Sequence, residues 1–85
     1  MWRHPAGWYF LSLPPVMAAE IRKVLKWQEE GWGRLKARAR IGNADWDTAI
    51  WFDTRSSTYL LPVKADIRNK ENLNPGDMVA TCIFV

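Results

Sequence analysis

The feature that most constrains the fold of this chain is a run in which cationic and apolar residues alternate strictly. Lysine or arginine stands at positions 34, 36, 38 and 40, and leucine, alanine or isoleucine stands between these positions and at position 41. A period of two residues matches the alternating faces of a β-strand and does not match a helical turn. The run from Arg34 to Ile41 is therefore predicted to be a half-buried strand that exposes a charged stripe, Arg34, Lys36, Arg38 and Arg40.

A hairpin turn follows this strand. Gly42 and Asn43 favour a two-residue type II′ turn, because glycine tolerates the positive φ that the first central position requires. The predicted pairs across this turn are Ile41 with Ala44, Arg40 with Asp45, Ala39 with Trp46, Arg38 with Asp47, and Leu35 with Ile50. Each pair joins apolar with apolar or cation with anion, whereas a slip of one residue would mix the two faces. We therefore predict this register for a hairpin from Arg34 to Phe52.

Turn residues and apolar patterns divide the rest of the chain into further elements. They are a strand over 8–13, an amphipathic helix over 16–28, a strand over 58–61, a short helix over 63–69 and a last strand over 78–85. The segment from Asn74 to Asp77 favours a type II turn, with proline second and glycine third. The last strand is apolar on both faces apart from Thr81, which predicts that both faces are covered.

The long helix is predicted to bury one face and to end at Gly31 or Gly33. Its apolar residues recur at helical spacing and are Met17, Ile21, Val24, Leu25 and Trp27. Its charged residues are expected to face solvent and are Glu20, Arg22, Lys23 and Lys26.

Size and charge limit the classes of function. The chain has 85 residues and a net charge of +3, which predicts one domain over 1–85 and falls short of the dense cationic surface of strong nucleic-acid binders. Cys82 is the one cysteine, so the sequence excludes an intrachain disulfide and a CxxC redox pair. A cytoplasmic protein fits best, and we expect no membrane insertion, because no apolar stretch approaches the roughly 20 residues of a span.

Several phrases of the sequence, in their order and spacing, resemble one known family. They are Gly31-Trp32-Gly33-Arg34, Trp46-Asp47-Thr48, the segment from Tyr59 to Arg68, and Pro75-Gly76-Asp77-Met78-Val79. They resemble the DUF1905 family of small bacterial domains, over nearly the whole chain from Trp8 onward. The resemblance implies a mainly β fold, a β-barrel of the double-split type, with one amphipathic helix near the N-terminus and one short helix before the last strand.

The C-terminal part of the chain is also similar to the half-site of AbrB and MazE-type DNA binders, in which hairpins of two chains interleave. Those domains are much shorter than this chain, whose additional N-terminal strand and helix would complete a barrel within one chain. The resemblance implies no biochemical activity, since the DUF1905 family is of unknown function, and a shared fold does not by itself transfer a function.

The charged stripe is the first candidate binding site, because cations on one strand face could track a phosphate backbone. Its alternative interpretation is a solvated face, in which Asp45 and Asp47 neutralise two of the four cations. Arg34 and Lys36 then remain. Trp51 is predicted opposite Arg34, where it would stack on a ligand ring or receive the guanidinium in a cation–π contact.

Lys64 and Arg68 form the second candidate binding site. They lie one helical turn apart and would share a face that contacts an anion. The alternative interpretation is an exposed helix surface whose long side chains only cover apolar groups with their stems.

No residue pattern predicts catalysis, a metal site or a cofactor. His4 is the one histidine and lies in a terminus that we expect to be mobile, so it has no predicted partner group. Cys82 is expected to be buried in the last strand. Arginine partners should keep Asp45 and Asp47 ionised, and Gly31–Gly33 is predicted to be a turn rather than a phosphate loop.

These observations favour a non-enzymatic small β-barrel that acts as a binding or interaction module through Arg34, Lys36 and Trp51. The main alternative is a dimeric AbrB-like DNA-binding regulator, which would use Lys64, Arg68 and the charged stripe. A homodimer through the last strand or the helix stays open, and nucleic acid is a partner class that is not favoured.

Overall fold

The strictly alternating run forms one strand of a single six-stranded antiparallel sheet, next to the strand at one edge. The computed structural model describes residues 1–85, apart from the side chain of Trp32. The strands are β1 (Trp2–Arg3), β2 (Tyr9–Ser12), β3 (Arg34–Ile41), β4 (Ala44–Asp53), β5 (Thr58–Pro62) and β6 (Cys82–Phe84). Their order across the sheet is β1-β2-β5-β4-β3-β6. The helices are α1 (Pro15–Leu25) and α2 (Ala65–Lys70), with short 3-10 turns at Lys26–Gln28 and Gly31–Gly33.

The hairpin of β3 and β4 has the predicted register. All five predicted pairs are confirmed, from Ile41 with Ala44 to Leu35 with Ile50. Burial follows the alternation, since Leu35, Ala37 and Ala39 are buried while the cations between them are exposed. The apolar face of the hairpin therefore supplies much of the core, and its other face, here called the outer face, carries the charged stripe.

The turn of this hairpin has the predicted conformation. Gly42 has a φ of +56°. Among the described non-glycine residues, only Ser57 and Asn72 have positive φ, so Asn43 has negative φ. Positive φ at the first central residue alone is the signature of a type II′ turn, which follows the natural twist of the paired strands.

The mainly β character with two helices is confirmed, but the sheet is open. Strands β1 and β6 lie at opposite ends of the strand order, and no pairing joins them within the described part of the chain. The barrel closure that the resemblance implied is therefore not confirmed. The expected last strand over 78–85 is wrong in length, because only Cys82–Phe84 pairs with β3 and Met78 is fully exposed.

The turn before this last strand is confirmed. The Asp77 backbone N–H donates to the Asn74 carbonyl at 3.1 Å, and Gly76 has a φ of +92°. A type II turn requires positive φ at this third position.

Helix α1 packs on the sheet through a narrower face than predicted. Ala18 is fully buried, and Ile21 and Leu25 pack against the core beside it. Val24 and Trp27 are 61% and 80% exposed, so their expected burial is wrong. Val24 lies six residues after Ala18, which places it about 120° around the helix from that buried residue. For Trp27 the reason is that the α-helix ends at Leu25 and continues as a tighter 3-10 turn, whose different residue spacing moves Trp27 off the buried face.

Arg22 links this helix to the sheet, although the helical pattern predicted it to face solvent. Its guanidinium lies 3.6 Å from the centroid of the Phe52 ring, and the Phe52 ring meets Tyr59 edge-on at 5.3 Å. The hydroxyl of the fully buried Tyr59 donates to the carboxylate of Glu29. Burial, together with this hydrogen bond to a carboxylate, raises the pKa of Tyr59 above its usual range.

Replacing Gly42 with alanine should lower the free energy of unfolding by about 1 to 2 kcal/mol, because an L-residue is strained at positive φ. The new Cβ would also lie 1.8 Å from Glu71 Oε1, which must move. Gly31→Ala is the matched control, since a Cβ there meets nothing within 4 Å. Urea denaturation measures both variants, and equal losses would contradict the assigned turn.

The raised pKa of Tyr59 predicts a loss of stability in alkali. Unfolded tyrosine releases its proton near pH 10, whereas folded Tyr59 keeps its proton to higher pH, so rising pH lowers the free energy of the unfolded state first. The stabilisation is present below about pH 10 and should fall by about 1.4 kcal/mol by about pH 11.

Urea denaturation at several alkaline pH values measures this loss. The Tyr59→Phe variant should lack this part of the pH dependence, whereas Tyr9→Phe, the control at the other tyrosine of the chain, should retain it. A pH dependence that is unchanged in Tyr59→Phe would show that another group is responsible.

Candidate functional site

Ion pairs occupy most of the charged stripe on the outer face. Arg38 Nε lies 2.6 Å from Asp45 Oδ1, and Arg38 Nη1 lies 2.9 Å from Asp47 Oδ1. Arg40 Nη2 lies 3.4 Å from Asp45 Oδ2. The hydrogen bond to Asp47 and the charge of Asp45 raise the pKa of Arg38. Both predicted cross-strand pairs are therefore confirmed, and Arg38 bridges both carboxylates.

Arg34 also has an acidic partner, which the sequence did not indicate. Its Nη1 lies 2.6 Å from Glu30 Oε1. The Glu30 backbone N–H donates to the Arg34 carbonyl at 2.6 Å, so the turn at Gly31–Gly33 folds Glu30 back beside the strand. The expectation that two cations of the stripe stay unpaired is therefore wrong. Within the described residues, Lys36 is the one cation of the stripe without an ion pair.

Trp51 lies opposite Arg34 on the outer face, as predicted. The Arg34 guanidinium is 5.8 Å from the centroid of the Trp51 ring, which is within the range of a cation–π contact. Arg34, Lys36 and Trp51 line one shallow, open cavity of about 680 Å³. The structure thus brings together three of the five predicted binding residues.

Lys64 and Arg68 lie outside this cavity and have different surroundings. Lys64 is exposed and directly precedes helix α2. The Arg68 guanidinium lies 3.7 Å from the Tyr9 ring centroid, and its Nε donates to the Val63 carbonyl at 3.3 Å. The Arg68 side chain is therefore engaged by Tyr9 and Val63, and the link that the structure records between Arg68 and Lys64 is the backbone hydrogen bond from the Arg68 N–H to the Lys64 carbonyl at 3.1 Å.

An aromatic groove on the same outer face is the main feature that the sequence analysis missed. Its lining residues are His4, Trp8, Phe10, Trp51, Leu60 and Pro62. The groove has a volume of about 330 Å³, and Trp8 remains 63% exposed. Trp51 lines both this groove and the cavity of Arg34 and Lys36, so the two are neighbours on the outer face.

Strand pairing explains how these aromatic residues come together. Phe10 of β2 lies opposite Pro62 of β5, and Leu60 of β5 lies opposite Trp51 of β4. Side chains of directly opposed residues share a face of the sheet. Three adjacent strands therefore each contribute to one apolar surface.

The N-terminal segment forms one wall of the groove and is joined to the sheet through β1. Trp2 of β1 pairs with Phe10 of β2, and their ring centroids lie 5.1 Å apart. The His4 ring meets Phe10 edge-on at 6.5 Å. The Ala6 backbone N–H donates to His4 Nδ1 at 3.0 Å, so a neutral His4 carries its proton on Nε2.

A sequence signal for this groove exists. Applying the two-residue period to 8–12 places Trp8, Phe10 and Ser12 on one face, and the hairpin places Trp51 on its charged face. These two faces are the same face of the sheet. This follows only from the order of the strands across the sheet, which the order of the elements along the chain does not reveal.

Cys82 is exposed, so its expected burial is wrong. It pairs with Arg40 across the edge of the sheet, and alternation then places it on the outer face while Ile83 packs towards the core. A strand of three residues leaves nothing beyond it to cover this side chain.

In the native protein, Cys82 should react completely with a thiol reagent such as dithionitrobenzoate without denaturant. A spectrophotometric thiol assay in buffer and in guanidinium measures this directly. Reaction only after denaturation would contradict the exposed position.

Two absences hold for the residues that the structure describes. The described residues contain no group of three or more histidine, cysteine, aspartate or glutamate side chains placed to hold a metal ion. No helix among them combines the length and apolar character needed to cross a membrane.

Comparison with known proteins gives one match. Neither the curated proteins nor the solved structures include a significant match to this chain. The model of one protein family, described as "Domain of unknown function (DUF1905)", matches residues 1–83. This match covers nearly the whole chain and agrees with the phrases identified in the sequence, so the chain belongs to the DUF1905 family.

Proposed function

We propose that this domain is a non-enzymatic binding module whose ligand lies in the aromatic groove of the outer face. The observation that carries the proposal is that an apolar groove with two tryptophans stays open to solvent on the face that also carries the ion pairs of the charged stripe.

The exposure of these aromatic residues supports the proposal energetically. A chain of this length has little apolar surface to spare, and each large aromatic can bury roughly 150 to 250 Å². Trp8 of the groove is nevertheless 63% exposed. Contiguous exposed apolar surface on a small soluble domain commonly marks a binding site.

The construction of the groove supports the same proposal. Four of its six lining residues stand on paired strands, which hold their side chains more firmly than a loop does, and the other two, His4 and Trp8, lie in the turn between β1 and β2. Its volume of about 330 Å³ lies at the lower end of the range for small-molecule sites. The turn is closed by a hydrogen bond from the His4 backbone N–H to the Trp8 carbonyl at 2.7 Å, and a groove that is formed before binding lowers the ordering cost of binding a ligand.

A dimeric AbrB-like DNA-binding regulator has less support. Such a protein needs many free cations, since tight binders neutralise roughly six or more phosphates. Three of the four cations of the charged stripe are paired, and Arg68 lies against Tyr9. Two copies would still present few free cations on this face.

Titration of the ¹⁵N-labelled protein with indole and with benzoate tests the binding module by NMR. Saturable shifts are expected at the indole N–H signals of Trp8 and Trp51 and at the amides of Phe10 and Leu60. The Trp8→Ala and Trp51→Ala variants should weaken binding at least about tenfold, because each removes one wall of the groove.

Trp27→Ala is the matched control, because Trp27 is 80% exposed but does not line the groove. It should bind both probes as the unchanged protein does. The absence of saturable shifts in the groove, or an equal effect of Trp27→Ala, would refute the proposal.

A further inference from the structure

Two lysines without ion pairs flank the aromatic groove. Lys36 lines the cavity that shares Trp51 with the groove. Lys64 lines a cavity of about 180 Å³ that shares Trp8 and Pro62 with the groove. Within the described part of the chain, neither lysine has an acidic side chain within ion-pair distance. Trp51 therefore shares a cavity with one of these unpaired lysines, and Trp8 shares a cavity with the other.

This arrangement selects for a particular ligand chemistry. Flat rings stack on exposed tryptophan, and every nucleobase offers such a ring. Lysine ammonium groups contact phosphate as point charges. A ligand that fits both features carries a planar ring with an anionic group on each side.

We infer that the groove binds an unpaired nucleobase of a single-stranded nucleic acid, with its two flanking phosphates at Lys36 and Lys64. This inference rests on the proposed function, because it names the ligand class of the same groove. A free nucleotide shares the base and phosphate chemistry, but it carries phosphate on one side only and would leave one lysine unused.

The acidic residues of the same face limit the contact to a short stretch of the nucleic acid. Asp47 lines both flanking cavities, and its carboxylate is held by Arg38 at 2.9 Å. Asp45 and Asp47 oppose a continuous phosphate backbone along the charged stripe. A duplex also keeps its bases stacked and paired, so they do not reach the tryptophans.

The number of phosphate contacts fixes the salt dependence. Two contacts on a single strand give a slope of about −1.4 for log affinity against log salt, so affinity should fall about sevenfold between about 50 and 200 mM salt. This fall is much weaker than that of a DNA-binding protein with many phosphate contacts.

Quenching of tryptophan fluorescence by octathymidylate tests the inference, with thymidine monophosphate and a DNA hairpin duplex as competing probes. Octathymidylate should bind with the sevenfold salt dependence, and at least about tenfold more tightly than either other probe. The Lys36→Gln, Lys64→Gln double variant should bind at least about sevenfold more weakly at low salt and lose most of the salt dependence.

The matched control is the Lys23→Gln, Lys26→Gln double variant, which removes the same charge from exposed positions away from the groove. It should bind octathymidylate unchanged. Equal weakening in both double variants would overturn the inference, because only net charge would then matter.

The other probes give the remaining outcomes. Equal affinity for thymidine monophosphate would overturn the single-strand assignment in favour of a free nucleotide, and tighter binding of the duplex would overturn it in favour of a duplex binder. If none of the three probes binds while indole still shifts Trp8 and Trp51, the inference fails and the proposed binding module survives.

Discussion

The pairing of strand β3 with strand β4 is the interaction on which the rest of the structure depends. Eight consecutive pairs join the two strands, and their register sorts every side chain of the hairpin onto one of two faces. The buried face brings Leu35, Ile50 and Ala39 into the core. The other face sets arginines opposite aspartates, so that two of the four cations of the charged stripe, Arg38 and Arg40, are paired within the hairpin.

The same register places Trp51 at the boundary between two chemically different halves of the outer face. On one side Trp51 pairs with Arg34 of β3, and on the other it pairs with Leu60 of β5. In the charged half, carboxylates pair three of the four cations, whereas the aromatic half is left open. The surface of this domain is therefore suited to a ligand that is bound mainly by stacking and only secondarily by charge.

The parts of the fold that follow local rules were predictable from the sequence. The alternation of 34–41, the Gly42–Asn43 turn and charge matching with Asp45 and Asp47 all act between residues close in the chain, and together they specify one register. The type II turn at Gly76 is local in the same sense. The location of Trp51 opposite Arg34 followed from that register alone.

The rest depends on contacts between distant segments, which the pattern of one segment does not reveal. The aromatic groove exists because β2 lies beside β5 and β1 lies beside β2. The Arg68 guanidinium contacts the Tyr9 ring instead of forming the predicted anion site with Lys64. Trp27 was expected to be buried and is exposed because α1 ends at Leu25. Arg22 was expected to face solvent, but its guanidinium contacts the face of the Phe52 ring.

The most direct test of this account is the set of cross-strand nuclear Overhauser effects along β4 in solution. We expect such effects between Asp47 and Arg38, between Trp51 and Arg34 and, across the other edge of β4, between Trp51 and Leu60. Contacts of Asp47 with Ala37 or Ala39 as its directly opposed residue would reveal a register shifted by one. In that register the carboxylates turn into the core and Trp51 leaves the groove, which would contradict both the fold and the binding surface described here.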